Sequence, residues 1–503
     1  MGEVMHQIFA KEFRPKRVVD NPSDKELRAL AFNHGGTITE FGNLSVVTSV
    51  RNRIAKYTEV VLDKLDEGDR RLVHEVMDYL KTKEMLMLDR VMCQHPGFKK
   101  NCRLYVTADY PRLPLMWGNT LFPSEGGEPD FTVVTVPEWP EKKVLVFPES
   151  GMTLILGTDY KGENKKAMLR QVMYWAKKEG NLGLHAASKI LRVKRNGKLT
   201  DFGFILFGLS GTGKTSLSCH SHWLRHPERV VIRQDDVVIL RSNGSAIGTE
   251  ESYYLKTEGL EPATQPLLYA AAISPRAILE NVWVDSGTGR VDFFDAALTS
   301  NGRGMVKRCD IAFTDDEIDV PRVDYAIFIT RRYDIVPPVV RLNPEWAALA
   351  FMLGESVETS AGDPTQAGKS LRVVGTNPFI VGSREEEGNA FLRILRHNPS
   401  IKCFILNTGK VGGMDRGQKI TVLDSVKILE MLARDKISWH RDDFWGYEVP
   451  IKIPGVELDR FGLNNFYSNE EIRELSEDLK RERLKWLSQF AGLNEDIISV
   501  LKP

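Results

Sequence analysis

The chain has 503 residues, 42% of them apolar and 27% charged, so it is long enough for more than one hydrophobic core and is typical of globular rather than disordered proteins. Its 68 basic and 68 acidic residues cancel, which argues against a nucleic-acid binder, a class that usually carries a basic excess. No apolar run reaches the roughly 18 residues that span a bilayer, and the five cysteines have no CxxC spacing, so we expect a soluble cytoplasmic protein with inert thiols.

The chain up to about residue 180 predicts an α/β region with a mixed sheet. Helix-like spacing marks residues 54–95, with apolar side chains at Val73, Val76, Met77 and Leu80. The runs "RLYVTADY", "DFTVVTVP" and "KVLVFP" follow, separated by proline and glycine, and they predict strands. A further helix is predicted over "NKKAMLRQVMYWAKKEG", where Gly180 is a suitable C-cap.

After residue 180 the sequence becomes rich in short strands, such as "FGFILF", "RVVIR", "VVILRSNGSAIG" with its Asn-Gly hairpin turn, and "YAIFIT". We therefore predict two domains, 1–180 and 181–503. Near the end, Ser468 and Glu471 form a capping box before an amphipathic helix. Packing on the body of the protein is the favoured prediction for this helix, and partner binding is the alternative.

A phosphate-binding loop is predicted at "FILFGLSGTGKTSLS", residues 204–218, which contains the pattern G-x-x-x-x-G-K-[ST] between a strand and a helix. Its glycines let backbone N–H groups turn toward phosphate oxygens, Lys214 reaches the terminal phosphates, and Thr215 offers its hydroxyl to a magnesium ion. The predicted nucleotide-binding residues of the loop are Gly208, Ser210, Gly211, Thr212, Gly213, Lys214, Thr215 and Ser216.

Two aspartates follow the next predicted strand, "RVVIRQDD". Asp235 and Asp236 stand one helix after the loop, where a phosphate-loop enzyme places carboxylates that orient its metal. Two solvated aspartates at a strand end are the alternative, which this position disfavours.

A second possible metal site lies in "CHSHWLRH", which brings Cys219, His220, His222 and His226 close together. His222 and His226 are four residues apart, a spacing that suits a zinc pair on a helix. No third ligand or catalytic glutamate follows, so a zinc site is disfavoured.

The order of several motifs resembles one family. "GTDYKGENKK", "HAAS", "FGLSGTGKTSLS" and "DD" stand in the succession found in the ATP-dependent phosphoenolpyruvate carboxykinases. "DFTVVTVP", "YYLKT", "LENVWVD", "TSNGR", "VPPVVRL" and "LNTG" also appear in that family's order, so the resemblance covers about residues 100–430. It implies a two-domain α/β fold, with a mixed-sheet N-terminal substrate-side domain and a β-rich C-terminal nucleotide domain carrying the phosphate loop and a mobile lid.

The resemblance also implies roles for single residues. Lys166, His185 and Asp236 would hold a catalytic manganese ion, and Thr215 would hold the nucleotide's magnesium ion. A ligating lysine must be neutral, and both metal proximity and burial lower its pKa. Lys165 would face the bound anions. The other implied positions are Tyr160 beside the substrate, Arg303 at the substrate and transferred phosphate, Lys256 at the γ-phosphate, Arg51 at the substrate carboxylate, and Lys419 and Ser425 at the nucleotide.

The implied reaction is the reversible conversion of oxaloacetate and ATP to phosphoenolpyruvate, carbon dioxide and ADP, with manganese and magnesium as cofactors. Loss of carbon dioxide leaves an enolate whose oxygen a cation must hold before it attacks the γ-phosphate. The implied partner is therefore a small organic acid, without nucleic acid or membrane, and the oligomeric state stays open.

The chain differs from the family pattern in several places. The family's "TGRSPKD" is here "TSVRNR", so Arg51 is the candidate for its arginine, and Gln234 replaces the glycine before the aspartates. "GKRISIKDTR" has become "GQKITVLDSV", which places Lys419 at an arginine and Ser425 at a threonine, and the lid reads "GESVETSAGDPTQAGKS". Two alternatives therefore stay open: a kinase on the same scaffold that phosphorylates another small acid, and a non-catalytic nucleotide-binding regulator.

Overall fold

The computed structural model describes residues 2–209, 211–357 and 370–502. The predicted lid falls mainly on 358–369, which lie outside the described residues, as does Ser210. Every helix in the described part of the chain is too short or too polar to cross a lipid bilayer.

The chain divides into two compact units, Met1–Trp175 with Thr249–Ala312, and Ala176–Gly248 with Phe313–Pro503. The chain first passes from one unit to the other between Trp175 and Ala176, close to the predicted boundary at 180. Residues 249–312 nevertheless return to the first unit, because strand Ile278–Glu280 pairs in parallel with Leu44–Val46. The assignment of 1–180 to the substrate and 181–503 to the nucleotide stays a prediction.

The first unit contains a mixed sheet and a smaller sheet. The mixed sheet runs in the order Arg17–Asp20, Glu84–Met92, Lys100–Thr107, Phe131–Val136, Met152–Leu156, Lys143–Phe147 and Thr58–Val60, with Phe122–Pro123 beside Glu84–Met92. The smaller sheet runs in the order Ser252–Lys256, Arg303–Lys307, Ile278–Glu280, Leu44–Val46 and Thr37–Ile38, and Trp283–Val284 pairs with Val291–Asp292. The helices are Gly2–Glu12, Asp24–Asn33, Glu67–Leu80, Arg112–Gly118, Pro266–Ala272 and most of Lys161–Lys178.

The second unit is built on a large sheet flanked by helices. Its order is Arg229–Gln234, Ala186–Arg195, Lys198–Phe207, Val323–Thr330, Lys402–Asn407, Val339–Leu342, Glu448–Lys452 and Ser438–Arg441. Smaller sheets are formed by Leu182–Leu184, Val238–Leu240 and Ala246–Gly248, by Glu355–Val357 and Ser370–Arg372, and by Lys410–Val411 and Gln418–Lys419. The helices are Lys214–Ser218, Pro344–Leu353, Arg384–His397, Val422–Arg434, Asn469–Leu487 and Glu495–Ser499.

The core of the second unit supports the strand that leads into the phosphate loop. Phe207, the last residue of that strand, stacks on Phe328 with ring centroids 4.8 Å apart, and Phe351 stacks on Phe391 at 4.9 Å. Such aromatic pairs stabilise a core beyond their area burial. Helix Asn469–Leu487, which begins at the predicted capping box, packs on this core through Leu479 and Leu487. This confirms the favoured prediction that the helix packs on the body of the protein.

The predicted α/β fold class and the quoted strands are confirmed, but only part of 54–95, the stretch with helix-like spacing, is helical. The helix covers only Glu67–Leu80, whose four predicted core residues are buried, and Glu84–Met92 is a strand. That strand is buried along most of its length. A strand buried on both faces gives a continuous apolar run, which spacing alone cannot distinguish from a buried helix.

Candidate active site

Several predicted site residues of the second unit meet at one edge of its large sheet. Strands Ala186–Arg195 and Lys198–Phe207 are antiparallel with Ala186 opposite Phe207, so His185 lies beside the start of the phosphate loop. The next strand, Arg229–Gln234, pairs through Gln234 with Ser188 and delivers the two aspartates to the same edge. Sheet pairing thus explains why motifs distant in sequence come together.

The phosphate loop has the backbone that its glycines predict. Gly211 and Gly213 have φ of 82° and 96°, in the left-handed region that favours glycine. Helix Lys214–Ser218 follows directly, so its N-terminal N–H groups and its partial positive charge face the loop. The Thr408 hydroxyl donates to the Thr212 carbonyl over 2.8 Å and thereby braces the loop.

His185, Asp236 and Lys214 form a compact group beside this loop. The Nε2 atom of His185 lies 3.1 Å from Oδ1 of Asp236 and 3.4 Å from Nζ of Lys214. Lys214 Nζ is also 3.9 Å from Oδ1 of Asp236. The Nδ1 atom of His185 lies 2.6 Å from the carbonyl oxygen of Thr376. A carbonyl oxygen can only accept, so Nδ1 carries a proton, and in the neutral ring Nε2 has the lone pair that can bind a cation.

This group fits a divalent cation. Two ligand atoms bound at right angles to one ion, with bonds of about 2.1 Å, are about 3 Å apart. The 3.1 Å between His185 Nε2 and Asp236 Oδ1 matches that spacing. A metal-binding imidazole normally donates its other N–H to a carbonyl or carboxylate, as His185 does to Thr376. The participation of Lys166, on helix Lys161–Lys178, stays a prediction.

A second group of predicted residues lies in the smaller sheet of the first unit. Lys256 and Arg303 are directly opposite each other in the antiparallel pair Ser252–Lys256 and Arg303–Lys307. Lys256 forms an ion pair with Glu258, so an acidic neighbour balances the charge of one of these two cationic side chains.

Asn301 connects three of the predicted residues within the first unit. Its Nδ2 atom donates to the backbone carbonyl of Arg51 over 2.9 Å and to the Tyr160 hydroxyl over 3.2 Å. Its Oδ1 atom accepts from Nη2 of Arg303 over 2.8 Å. Asn301 is part of the quoted "TSNGR" motif, yet its role was not predicted, because the contacts reach residues up to 250 positions away.

The segment before Arg51 is held by a buried carboxylate. Asp159 accepts from the backbone N–H groups of Ser49 and Val50 over 2.8 and 2.9 Å and pairs with Arg112 at 2.6 Å. Burial disfavours the charged form, but these N–H donors and Arg112 outweigh it and lower the pKa of Asp159. The Arg51 side chain itself donates from Nη1 to the Leu298 carbonyl over 2.6 Å. The altered "TSVRNR" segment therefore still has a fixed backbone.

Two neighbouring lysines of the helix Lys161–Lys178 are buried rather than solvated. Lys165 pairs with Glu250 at 2.6 Å, with both side chains at most 3% exposed, and its position facing bound anions stays a prediction. Lys161 is fully buried with its Nζ 4.1 Å from the centre of the Tyr254 ring. Burial lowers the pKa of Lys161 to about 7.

The predicted nucleotide contacts near the C-terminal region occupy different environments. Lys419 is exposed on the short strand Gln418–Lys419. Ser425 is buried in helix Val422–Arg434, and its hydroxyl donates to the Thr421 carbonyl over 3.1 Å. Contact of either residue with a nucleotide stays a prediction.

The zinc alternative for "CHSHWLRH" is wrong in geometry. Residues 220–226 are not helical, so the spacing of His222 and His226 does not place them on one helix face. His222 is buried, and its Nε2 lies 2.6 Å from Nζ of Lys189. This hydrogen bond occupies the imidazole nitrogen that a zinc ion would need.

Comparison with known proteins identifies relatives along nearly the whole chain. The family model described as phosphoenolpyruvate carboxykinase matches residues 16–459. The phosphoenolpyruvate carboxykinase (ATP) of Aeropyrum pernix is 35% identical over 496 residues, covering 97% of this chain and 98% of that protein. Proteins of the same name from Thermus thermophilus and Dictyostelium discoideum are each 27% identical, covering 80% and 90% of this chain and 78% and 85% of their own lengths.

Proposed function

The chain belongs to the phosphoenolpyruvate carboxykinase family, and we propose that it converts oxaloacetate and ATP reversibly to phosphoenolpyruvate, carbon dioxide and ADP. Family membership implies the use of ATP. The observation that carries the proposal is the approach of His185, Asp236 and Lys214 beside a phosphate loop. A loop alone would support any nucleotide-binding protein, whereas this group adds the means to hold a cation next to phosphate.

The phosphate loop supplies the positions for ATP. Backbone N–H groups around Gly211 and Gly213 and the start of helix Lys214–Ser218 would receive the phosphate oxygens. Lys214 would neutralise charge at the terminal phosphates as the transferred group leaves ADP. Thr408 keeps the loop in place through the Thr212 carbonyl.

Two divalent cations are part of the proposal. His185 and Asp236 would hold manganese, with Lys166 as a third ligand on the strength of family membership, and Thr215 with Asp235 would hold the magnesium of the nucleotide. A cation bound in this way supplies positive charge to the oxygen that becomes negative during decarboxylation. His185 is already oriented for that role by Thr376.

We assign the substrate to the residues connected through Asn301. Arg51 would bind a carboxylate of the substrate, and Arg303 would contact both the substrate and the transferred phosphate. Tyr160 would lie beside the substrate. The bond between the carboxylate carbon and its neighbour breaks, and its electron pair remains as an enolate. The enolate oxygen then forms a bond to the γ-phosphorus as the bond to ADP breaks, with Lys256 and Lys214 neutralising charge.

A cytoplasmic location is also part of the proposal. All five cysteines are reduced thiols, four of them buried, as expected of a protein from a reducing compartment. Burial raises the pKa of Cys219 to about 12, so this thiol is unreactive.

The test is an assay of the purified protein with oxaloacetate, ATP, manganese and magnesium. We expect phosphoenolpyruvate and carbon dioxide to appear in equal amounts, with ADP. Consumption of ATP without decarboxylation would instead indicate a kinase acting on another acid. ATP binding with no turnover of any organic acid would indicate a non-catalytic regulator.

A further inference from the structure

The helix that follows the phosphate loop, Lys214–Ser218, is called the phosphate helix, and it contacts a buried lysine that the proposed reaction does not use. Lys189, on strand Ala186–Arg195, is fully buried. Its Nζ atom lies 2.6 Å from the carbonyl oxygen of Leu217 and 2.6 Å from Nε2 of His222. Burial lowers the pKa of Lys189 to about 7. Burying an amine is costly unless its N–H groups are hydrogen-bonded, so these two contacts need an explanation.

The Leu217 carbonyl belongs to the last turn of helix Lys214–Ser218. The last carbonyls of a helix have no partner within it, and a helix of five residues is too short to be stable by itself. An N–H donor at its C-terminal end satisfies one of these carbonyls. Lys189 therefore stabilises the helix from the end opposite the phosphate loop.

His222 supplies the second acceptor for Lys189. Burial, together with Lys189 and His220, lowers the pKa of His222 well below its ordinary value, so the imidazole is neutral. A neutral imidazole can accept a hydrogen bond from a lysine N–H at the lone pair of Nε2. The segment "CHSHWLRH", which directly follows the phosphate helix, is thus used to hold this lysine instead of a metal.

One extended segment contacts both ends of the phosphate helix. His185 lies 3.4 Å from Nζ of Lys214, the first residue of the helix, and Lys189 binds the carbonyl of Leu217 near its last residue. A shift of the helix along this segment would require these contacts to rearrange. The position of the phosphate helix is therefore tied to the candidate metal ligand His185.

We propose that Lys189, supported by His222, is a positioning residue for nucleotide binding that fixes helix Lys214–Ser218 so that Lys214 and Thr215 meet the phosphates of ATP. The proposal rests on the proposed function only in that the chain binds ATP.

The first experiment measures binding of ATP with magnesium by isothermal titration calorimetry for Lys189→Met, which keeps the side-chain length without the N–H donors. We expect affinity to fall about tenfold, as for the loss of two buried hydrogen bonds. In steady-state assays the KM for ATP should rise while the KM for oxaloacetate stays near that of the unchanged protein. The control is Lys161→Met, which removes an equally buried lysine of the first unit and should leave ATP affinity unchanged.

Wild-type affinity for ATP in Lys189→Met would overturn this inference, and so would an equal loss in Lys161→Met. Absence of ATP binding by the unchanged protein would instead contradict the proposed function, so the two failures are distinguishable.

If Lys189→Met does not fold, a second pair of variants tests the positioning role of Lys189. His222→Leu removes the acceptor but leaves Lys189, whereas His222→Gln keeps an acceptor in its amide oxygen. We expect weaker ATP binding in His222→Leu and near wild-type binding in His222→Gln. Equal, undiminished affinity in both variants would show that the contact with Lys189 does not position the helix.

Discussion

The carbonyl oxygen of Thr376 accepts the Nδ1 proton of His185 over 2.6 Å, which leaves Nε2 facing Asp236. This backbone contact sets the imidazole tautomer that a divalent cation requires. The oriented lone pair of His185 is the feature on which the proposed manganese site most depends.

We predict that His185→Ala, and likewise Lys166→Ala, lowers manganese-dependent turnover by at least about 100-fold while ATP still binds, because a ligand is lost. Turnover and the electron paramagnetic resonance spectrum of added manganese give independent measurements. His397→Ala, which removes an exposed histidine, is the control. Undiminished manganese binding in both ligand variants would show that the ligand assignment is wrong.

We predict that Asn301→Ala raises the KM for oxaloacetate about tenfold, because the carbonyl of Arg51, the Tyr160 hydroxyl and the Arg303 guanidinium lose a shared partner. Affinity for ATP, measured by calorimetry, should not change. Asn464→Ala alters an exposed asparagine and should leave both quantities as they are. An unchanged KM for oxaloacetate in Asn301→Ala would remove Asn301 from the substrate group.

We predict that Thr408→Val weakens ATP binding roughly fivefold, which corresponds to the loss of one hydrogen bond of about 1 kcal/mol. The variant keeps the shape of the side chain but cannot donate to the Thr212 carbonyl. Thr200→Val serves as the control, since the Thr200 hydroxyl donates to the carbonyl of Lys198 at an exposed site. Equal ATP affinities in calorimetry for Thr408→Val and the unchanged protein would contradict the bracing role.

A fourth prediction concerns stability and pH. Burial disfavours the carboxylate of Glu355, but Arg483, Arg332 and Arg372 outweigh it and hold its pKa well below the ordinary value of 4.5. Because the folded-state pKa is depressed, this contribution is present above about pH 4.5 and is lost as pH falls further.

Glu355→Gln leaves three buried guanidinium groups without that carboxylate, which should cost about 3–5 kcal/mol at pH 7. The apparent melting temperature should therefore fall at pH 7, and the difference from the unchanged protein should narrow toward pH 3. Glu84→Gln, at an exposed ion pair, should show little effect at either pH. A difference that stays constant over this range would contradict the assigned pKa.

Local sequence patterns were sufficient for the parts of the site that one segment determines. The phosphate loop could be predicted because its glycine spacing and the adjoining strand and helix are all contained within residues 204–218. The contacts of Thr376, Asn301 and Thr408 could not be predicted, since each depends on a hydrogen bond between segments that are far apart in sequence. The return of 249–312 to the first unit depends likewise on long-range strand pairing.

Because residues 249–312 belong to the first unit, this unit can complete its fold only late in synthesis. Strands Leu44–Val46 and Thr37–Ile38 leave the ribosome early, but their sheet needs Ile278–Glu280 and Arg303–Lys307, which follow more than two hundred residues later. Until then the early strands have an exposed edge, which is prone to aggregation. Chaperones that shield nascent chains should therefore matter more for this protein than for one whose domains are contiguous in sequence.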